Sequence, residues 1–336
     1  MTPLAGLLPD RLASVLDLAP AFRGRQVFRW IHRGVEGFAG MSDLPADLRT
    51  SLEARARILT SRVDTRSESE DGSVKLRIRL QDGAAIEAMS LQDGRGRRTA
   101  CLSTQAGCGM GCAFCRTGLM GLARSLAAHE IVEELLHLRR ETGDVGHIVF
   151  MGMGEPLLNL GPVSAAAGVF AHPDGQAMSL RRITLSTCGI VEGIRRLTEE
   201  GPAVRLAVSL VSAVPDTRAS LMPVSRANPL DALREALVSY QGRTRRRITL
   251  ELVMIDGVTD RTDDAEALVE WAKPLSVMAN LIPWNPVPEI AFRESPHERV
   301  RWFKERLEAA RIPVTERLRK GRGVNGACGQ LAILGS

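Results

Sequence analysis

No stretch of this sequence approaches about 20 uninterrupted apolar residues, the length a helix needs to cross a bilayer. A membrane-spanning helix is therefore not expected, and neither is a membrane partner. The opening residues, Met1 to Asp10, lack the basic and apolar regions of a signal peptide, so the expectation is a cytoplasmic protein. Internal repeats and long disordered segments are also missing. Cysteine is sparse, with six in 336 residues, and no second C-x2-C pair follows the one cluster that exists. That shortage disfavours a structural zinc site, which needs four Cys/His ligands, commonly in such pairs. A disulfide scaffold is disfavoured too, because Cys clusters in cytosolic enzymes more often mean metal or redox chemistry.

What is present begins with charge. A formal net charge of +5 suggests a polyanionic partner, since Lys and Arg neutralise phosphates and release counterions. The length exceeds one average domain but suits a single barrel. The cluster itself is Cys108-Gly-Met-Gly-Cys112-Ala-Phe-Cys115. Three thiolates on a Gly-rich turn can hold three irons of a [4Fe–4S] cluster and leave the fourth open, where four Cys are the norm. This C-x3-C-x2-C spacing resembles the radical S-adenosylmethionine (SAM) superfamily, in which the amino and carboxylate groups of SAM take the open iron.

Taken in order, residues 1–60 read as a small helical domain. Val27, Phe28, Trp30 and Ile31 alternate with a cationic face at Arg23, Arg25, Arg29 and Arg33, a helical spacing. That face suits phosphate or simply solvent. Asp47 to Ile58 reads as a further helix. Residues 61–98 form a β-hairpin linker: Val74, Leu76, Ile78 and Leu80 alternate with polar residues, Asp82-Gly83 turns, and Ala85 to Met89 returns. Arg95, Arg97 and Arg98 suit either phosphate or a charged loop. Glu87 alone is an ordinary strand carboxylate. From 99 to 336, short apolar runs alternate with amphipathic helices such as Ala127 to Thr142 and Asn228 to Tyr240, which predicts parallel βα units. Strands are expected at 100–105, 147–151, 182–187, 204–210, 247–254 and 277–282, and loops at 215–228 and 286–296. The fold class is thus α/β, a partial (βα)6 barrel of radical SAM type with chemistry at the C-terminal strand ends.

Candidate ligands fall at those ends. Met151-Gly-Met-Gly154-Glu155 offers small residues for close backbone approach and a carboxylate for an ammonium group. Ser186, Ser209 and Asn285 place a hydroxyl or amide at the mouth, suited to ribose and carboxylate; each is equally compatible with a strand end that binds nothing. Cys328 lies between Ala327 and Gly329, a flexible setting suited to a residue that swings into a site. Cys101 is the candidate to pair with it transiently.

Together these motifs resemble the RlmN/Cfr family of radical SAM RNA adenosine methyltransferases across nearly the whole chain. The likeness runs from Arg25-Gln-Val-Phe-Arg-Trp30 through Ile86-Glu87, Cys101-Leu-Ser-Thr-Gln-Ala-Gly-Cys108, Met151 to Pro156, Ser186-Thr187 and Asn280 to Asn285, to Ala327-Cys328-Gly-Gln-Leu331. The resemblance implies that Cys108, Cys112 and Cys115 bind the cluster, and that Gly154, Glu155, Ser186, Ser209, Leu210, Val211 and Asn285 contact SAM. It also implies that Cys328 is methylated by one SAM and that a second SAM is cleaved to generate the radical that removes hydrogen from the S-methyl group. Cys101 then resolves a protein–RNA adduct through a disulfide, with Glu87 accepting a proton. The implied product is an adenosine methylated at C2 in 23S rRNA, tRNA or both, with electrons from a flavodoxin or ferredoxin. The same apparatus acting at C8 or another position is the alternative; a non-enzymatic metal-binding RNA module is the reading from a different class. One departure stands out. Where the family has Ser-Leu-His-Ala-Pro-Asn, this chain reads Ser209-Leu-Val-Ser-Ala-Val-Pro215, without the imidazole and the amide. Cys188 also sits where Ser is commoner.

Overall fold

The computed structural model describes residues 1–317 and 321–332. Near the N-terminus, β1 (Thr2–Pro3) pairs in parallel with β2 (Ala56–Arg57), closing a unit that holds α1 (Pro9–Val15), α2 (Arg23–His32) and α3 (Ala46–Arg55). Helix α2 buries Val27, Phe28 and Ile31, the stripe its spacing predicts. Its cationic face is less free than expected. Arg25 and Arg29 both reach Asp174, at 3.4 and 2.5 Å, and Arg33 lies over Trp30, so part of the face is spent on fastening.

The main sheet has ten strands in the order β14-β13-β12-β11-β10-β9-β6-β5-β4-β3. Strands β3 (Arg62–Glu68), β4 (Val74–Arg79) and β5 (Ala85–Gln92) are antiparallel and continue into β6 (Arg98–Cys101) through Met89↔Cys101. From β6 onward, β9 (His147–Phe150), β10 (Ile183–Thr187), β11 (Arg205–Ser209), β12 (Ile248–Met254) and β13 (Val277–Pro283) run parallel. These are the six expected strands. A seventh, β14 (Val314–Glu316), pairs with β13; three residues were too short a run to read.

The strand expected at 100–105 is broken. Leu102 N–H still donates to Val149 O, but Ser103 turns away, donating through its N–H to Glu134 and its hydroxyl to Glu87 O. The chain then forms a separate hairpin, β7 (Gln105–Cys108) with β8 (Gly121–Ser125), around α4 (Arg116–Leu119). The loop expected at 215–228 is also partly helical: Pro215 opens α8 (Pro215–Leu221) at a position where its missing N–H costs nothing.

Helices α5 (Ala128–Thr142), α6 (Leu160–Ala171), α7 (Val191–Glu200), α9 (Leu230–Thr244), α10 (Thr262–Ala272) and α11 (His297–Ala309) complete the βα units. Helix α5 is buried on nearly every side, Glu133, Glu134 and His137 included, because the N-terminal unit covers the face turned from the sheet. Glu133 accepts from the N–H groups of Thr60 and Ser61 (3.0 and 2.8 Å) and from both hydroxyls. Arg139 donates to His32 O at 3.0 Å. The apolar core is continuous across this seam, from Leu4, Phe28 and Ile31 to Leu135, Phe150 and Phe170. Among the described residues, no helix is long and apolar enough to cross a membrane.

Candidate active site

A cavity of about 260 Å³ opens at the C-terminal ends of the parallel strands. Cys108, at the end of β7, lines it together with Cys112 and Cys115 from the loop that follows. The loop folds tightly because Gly107 has φ +78° and a Cβ there would lie 2.1 Å from Gly121 O; only glycine permits the hairpin to close behind the cysteines. Burial pushes the Cys108 thiol up to about 11 and raises Cys112 further, each reinforced by a neighbouring cysteine. Thiols held neutral by burial release their protons when metal arrives. Among the described residues, no three Cys, His, Asp or Glu converge on a single ion. Three soft thiols spread along one cavity wall fit a [4Fe–4S] cluster better than a mononuclear site.

Beside them, Gly154 (φ +101°) carries the chain so close to Gln105 that a Cβ would meet its Cβ at 2.5 Å. The next residue, Glu155, is 3% exposed. Its carboxylate accepts from Cys188 N–H (2.7 Å) and Leu157 N–H (3.0 Å), and its own N–H donates to Gln105 Oε1 (2.9 Å). Burial raises its pKa against those hydrogen bonds, so a cationic ligand would be welcome there. Ser186, Ser209 and Asn285 line the same cavity. Asn285 donates to Cys328 O at 3.1 Å while its buried Oδ1 has no partner. An anchored carboxylate and an orphaned amide oxygen are two acceptors that fit the ammonium group of SAM.

Leu210 and Val211 do not line the cavity. Val211 packs in an apolar layer with Cys112, Cys188, Leu221, Met222 and Trp284. Its φ is +63°, a costly conformation for a β-branched side chain, held by an N–H bond to Glu251 O at 3.1 Å.

Cys328 and Cys101 line the cavity with Cys108, Cys112 and Cys115, and all six cysteines are free thiols. No disulfide joins them. Burial pushes Cys101 up to about 12 and raises Cys328 as well, while Arg317 opposes both shifts. The Cys328 segment is docked, not loose as its glycines suggest. Arg116 N–H donates to Gly329 O (2.8 Å), Thr117 Oγ1 to Leu331 O (2.6 Å), Gln330 Nε2 to Pro286 O (2.9 Å) and Gly321 N–H to Asp71 Oδ2 (3.0 Å). Glu87 lies outside the cavity wall. Its carboxylate pairs with Lys75 at 2.9 Å and accepts from Ala332 N–H at 3.0 Å, so it clamps the far end of the same segment.

Several site residues escape a reading of motifs. Gln105 orients Glu155, and Arg116 and Thr117 hold the Cys328 segment. Glu251 faces the cavity from β12, accepting from Ser186 Oγ at 3.4 Å with Arg317 at 3.8 Å. A carboxylate inside the apolar run Ile248-Thr-Leu-Glu-Leu-Val-Met254 was the available signal.

Residues 102–272 match the family model of the radical SAM superfamily, and residues 18–58 that of the ribosomal RNA large subunit methyltransferase N-terminal domain. The chain is 46% identical to a probable dual-specificity RNA methyltransferase RlmN of Treponema pallidum (strain Nichols), over 98% of this chain and 96% of the relative. It is 43% identical to the dual-specificity RNA methyltransferase RlmN of Syntrophobacter fumaroxidans, over 93% and 92% of the two chains. The crystal structure of a radical SAM methyltransferase from Sphaerobacter thermophilus has the same fold, with a TM-score of 0.93 at 38% identity, covering 98% of this chain and 99% of that one. Likeness of this extent, running through the N-terminal unit and the thiol-bearing barrel alike, decides the matter: the chain belongs to the RlmN family of radical SAM methyltransferases.

Proposed function

We propose that this protein methylates C2 of an adenosine in rRNA, tRNA or both, with Cys328 carrying the transferred carbon. One observation supports the reading most: Cys328 and Cys101 share a single cavity with Cys108, Cys112, Cys115, Glu155 and Asn285. Adenine C2 is too electrophilic to attack a sulfonium methyl, so transfer through a radical held on a cysteine is the open route. When bound, the cluster and SAM supply one-electron cleavage of a sulfonium and the methyl group.

In this reading, Cys108, Cys112 and Cys115 hold the cluster. Glu155, already oriented by two backbone N–H groups, takes the SAM ammonium; Asn285, Ser186 and Ser209 complete the grip at the mouth, with Gly154 allowing close approach. Leu210 and Val211 contribute through backbone. The target base must leave its stack to enter. Cys101 attacks the Cys328 sulfur: an S–S bond forms, the S–C bond breaks, and its electron pair goes to the methylene carbon, which takes a proton. Glu87 accepts the C2 proton, and the unpaired electron that radical addition leaves on the ring would return to the cluster when it is bound. Because Ala332 N–H ties Glu87 to the Cys328 segment, displacement of that segment releases one carboxylate oxygen while Lys75 keeps the other. A flavodoxin or ferredoxin serves as the one-electron donor.

The test is anaerobically reconstituted protein with reductant, methyl-labelled SAM and unmodified rRNA and tRNA, followed by nucleoside mass spectrometry. Labelled 2-methyladenosine is expected, and none from Cys328→Ala. Methylation by that variant, or label at C8, would overturn the reading.

A further inference from the structure

Arg218 is fully buried on α8 and has no carboxylate partner among the described residues. Its guanidinium donates to the carbonyl oxygens of Cys188 (2.7 Å), Ser209 (3.0 Å) and Leu210, and one NH group lies 3.3 Å from Met222 Sδ. Its Nε has no partner. A cation taken out of water needs an anion, because carbonyl dipoles alone do not repay its desolvation. Cys188, whose carbonyl it binds, and Met222, against its NH group, pack in one buried layer with Cys112, and Cys112 stands in the cluster-binding triad. The same three carbonyls end β10 and β11, where Ser209 meets the cavity.

We infer that Arg218 is the built-in counter-cation of the iron–sulfur cluster, its charge left unmatched by the protein because the thiolate-bound cluster supplies the anion. A [4Fe–4S] cluster on three thiolates carries net negative charge, and that charge deepens by one unit when it accepts an electron. A fixed positive charge in a dry site therefore favours the reduced form and raises the reduction potential. Arg218 touches no reacting atom. It is a positioning residue that also sets the electrostatics of the site, and it follows from the family's cofactor without reference to which base is methylated.

Redox titration of reconstituted protein, followed by the EPR signal of the reduced cluster, tests this without RNA. Met222→Glu places a carboxylate against Arg218 while leaving the guanidinium and its carbonyl bonds in place; Met222→Gln is its neutral control. At a fixed potential, the reduced-to-oxidised ratio in Met222→Glu is expected to be about tenfold below that in Met222→Gln, a midpoint about 59 mV lower for one electron. Arg218→Met moves in the same direction and Arg218→Lys holds the wild-type midpoint. Should Arg218→Met fail to fold, Arg218→Gln, which keeps N–H donors for the carbonyls but not the charge, is read against Arg218→Lys in its place. Equal midpoints for Arg218→Lys and the uncharged Arg218 variant, at equal iron content, would show that Arg218 serves packing alone and overturn the inference.

Discussion

Lowering the pH from 8 to 5 weakens the seam between the N-terminal unit and the barrel, and His32 carries a measurable share. Its ring is buried, packed on Phe28 at 4.2 Å between centroids, and neither ring nitrogen has a hydrogen-bond partner. Desolvation first, then the charges of Arg139 and His172, lower its pKa from 6.5 to about 4. The folded state thus holds the neutral ring, while the unfolded chain protonates near 6.5. The contribution to stability is complete above pH 6.5 and is lost as the pH falls toward 4. At 1.36 kcal/mol per pH unit, the whole gap is worth roughly 3 kcal/mol, of which about 2 kcal/mol is gone by pH 5. His137, likewise lowered to about 4 by burial and then Arg140, adds a similar loss on the barrel side. The assay is urea unfolding at pH 8 and pH 5 for wild type and His32→Phe, which keeps the stacking. The variant should lose about 2 kcal/mol less than wild type between the two conditions. An identical loss in both proteins would refute the assignment to His32.

Three further outcomes follow from the site. Cys101→Ala should accumulate a covalent protein–RNA adduct that resists denaturing gels, whereas normal turnover with no adduct would remove Cys101 from the resolving role. Glu155→Gln exchanges a charged partner for a neutral one, a difference of about 1.5–3 kcal/mol, so equilibrium dialysis should show SAM affinity falling roughly 10- to 100-fold; unchanged affinity would detach Glu155 from the ligand. Gly154→Ala forces a Cβ against Gln105 at a backbone angle alanine disfavours, and strain of this kind costs about 1–3 kcal/mol, readable as a lower urea midpoint together with weakened SAM binding.

The parallel strands were legible because their buried runs, such as Ile248 to Met254, are apolar and end in small or polar residues. The glycines and cysteines at 107–115 were legible for a related reason: few other residue types tolerate that backbone or are able to ligate iron. The β7–β8 hairpin was not, since Leu122 and its neighbours are exposed and carry no alternation. Arg218 lay in a stretch read as loop; its burial depends on α8 closing over strand ends that are not adjacent in sequence. Glu87 was placed on the right strand, yet its partner at Ala332 is 245 residues away, and no local pattern reports such a contact.

The residues that follow Cys115 also hold the Cys328 segment, through Arg116 N–H and the Thr117 hydroxyl. The turn that carries Cys112 and Cys115 and the support of Cys328 are therefore one piece of backbone. A substitution that shifts Arg116 or Thr117 is expected to displace Cys328 together with the turn that carries Cys112 and Cys115.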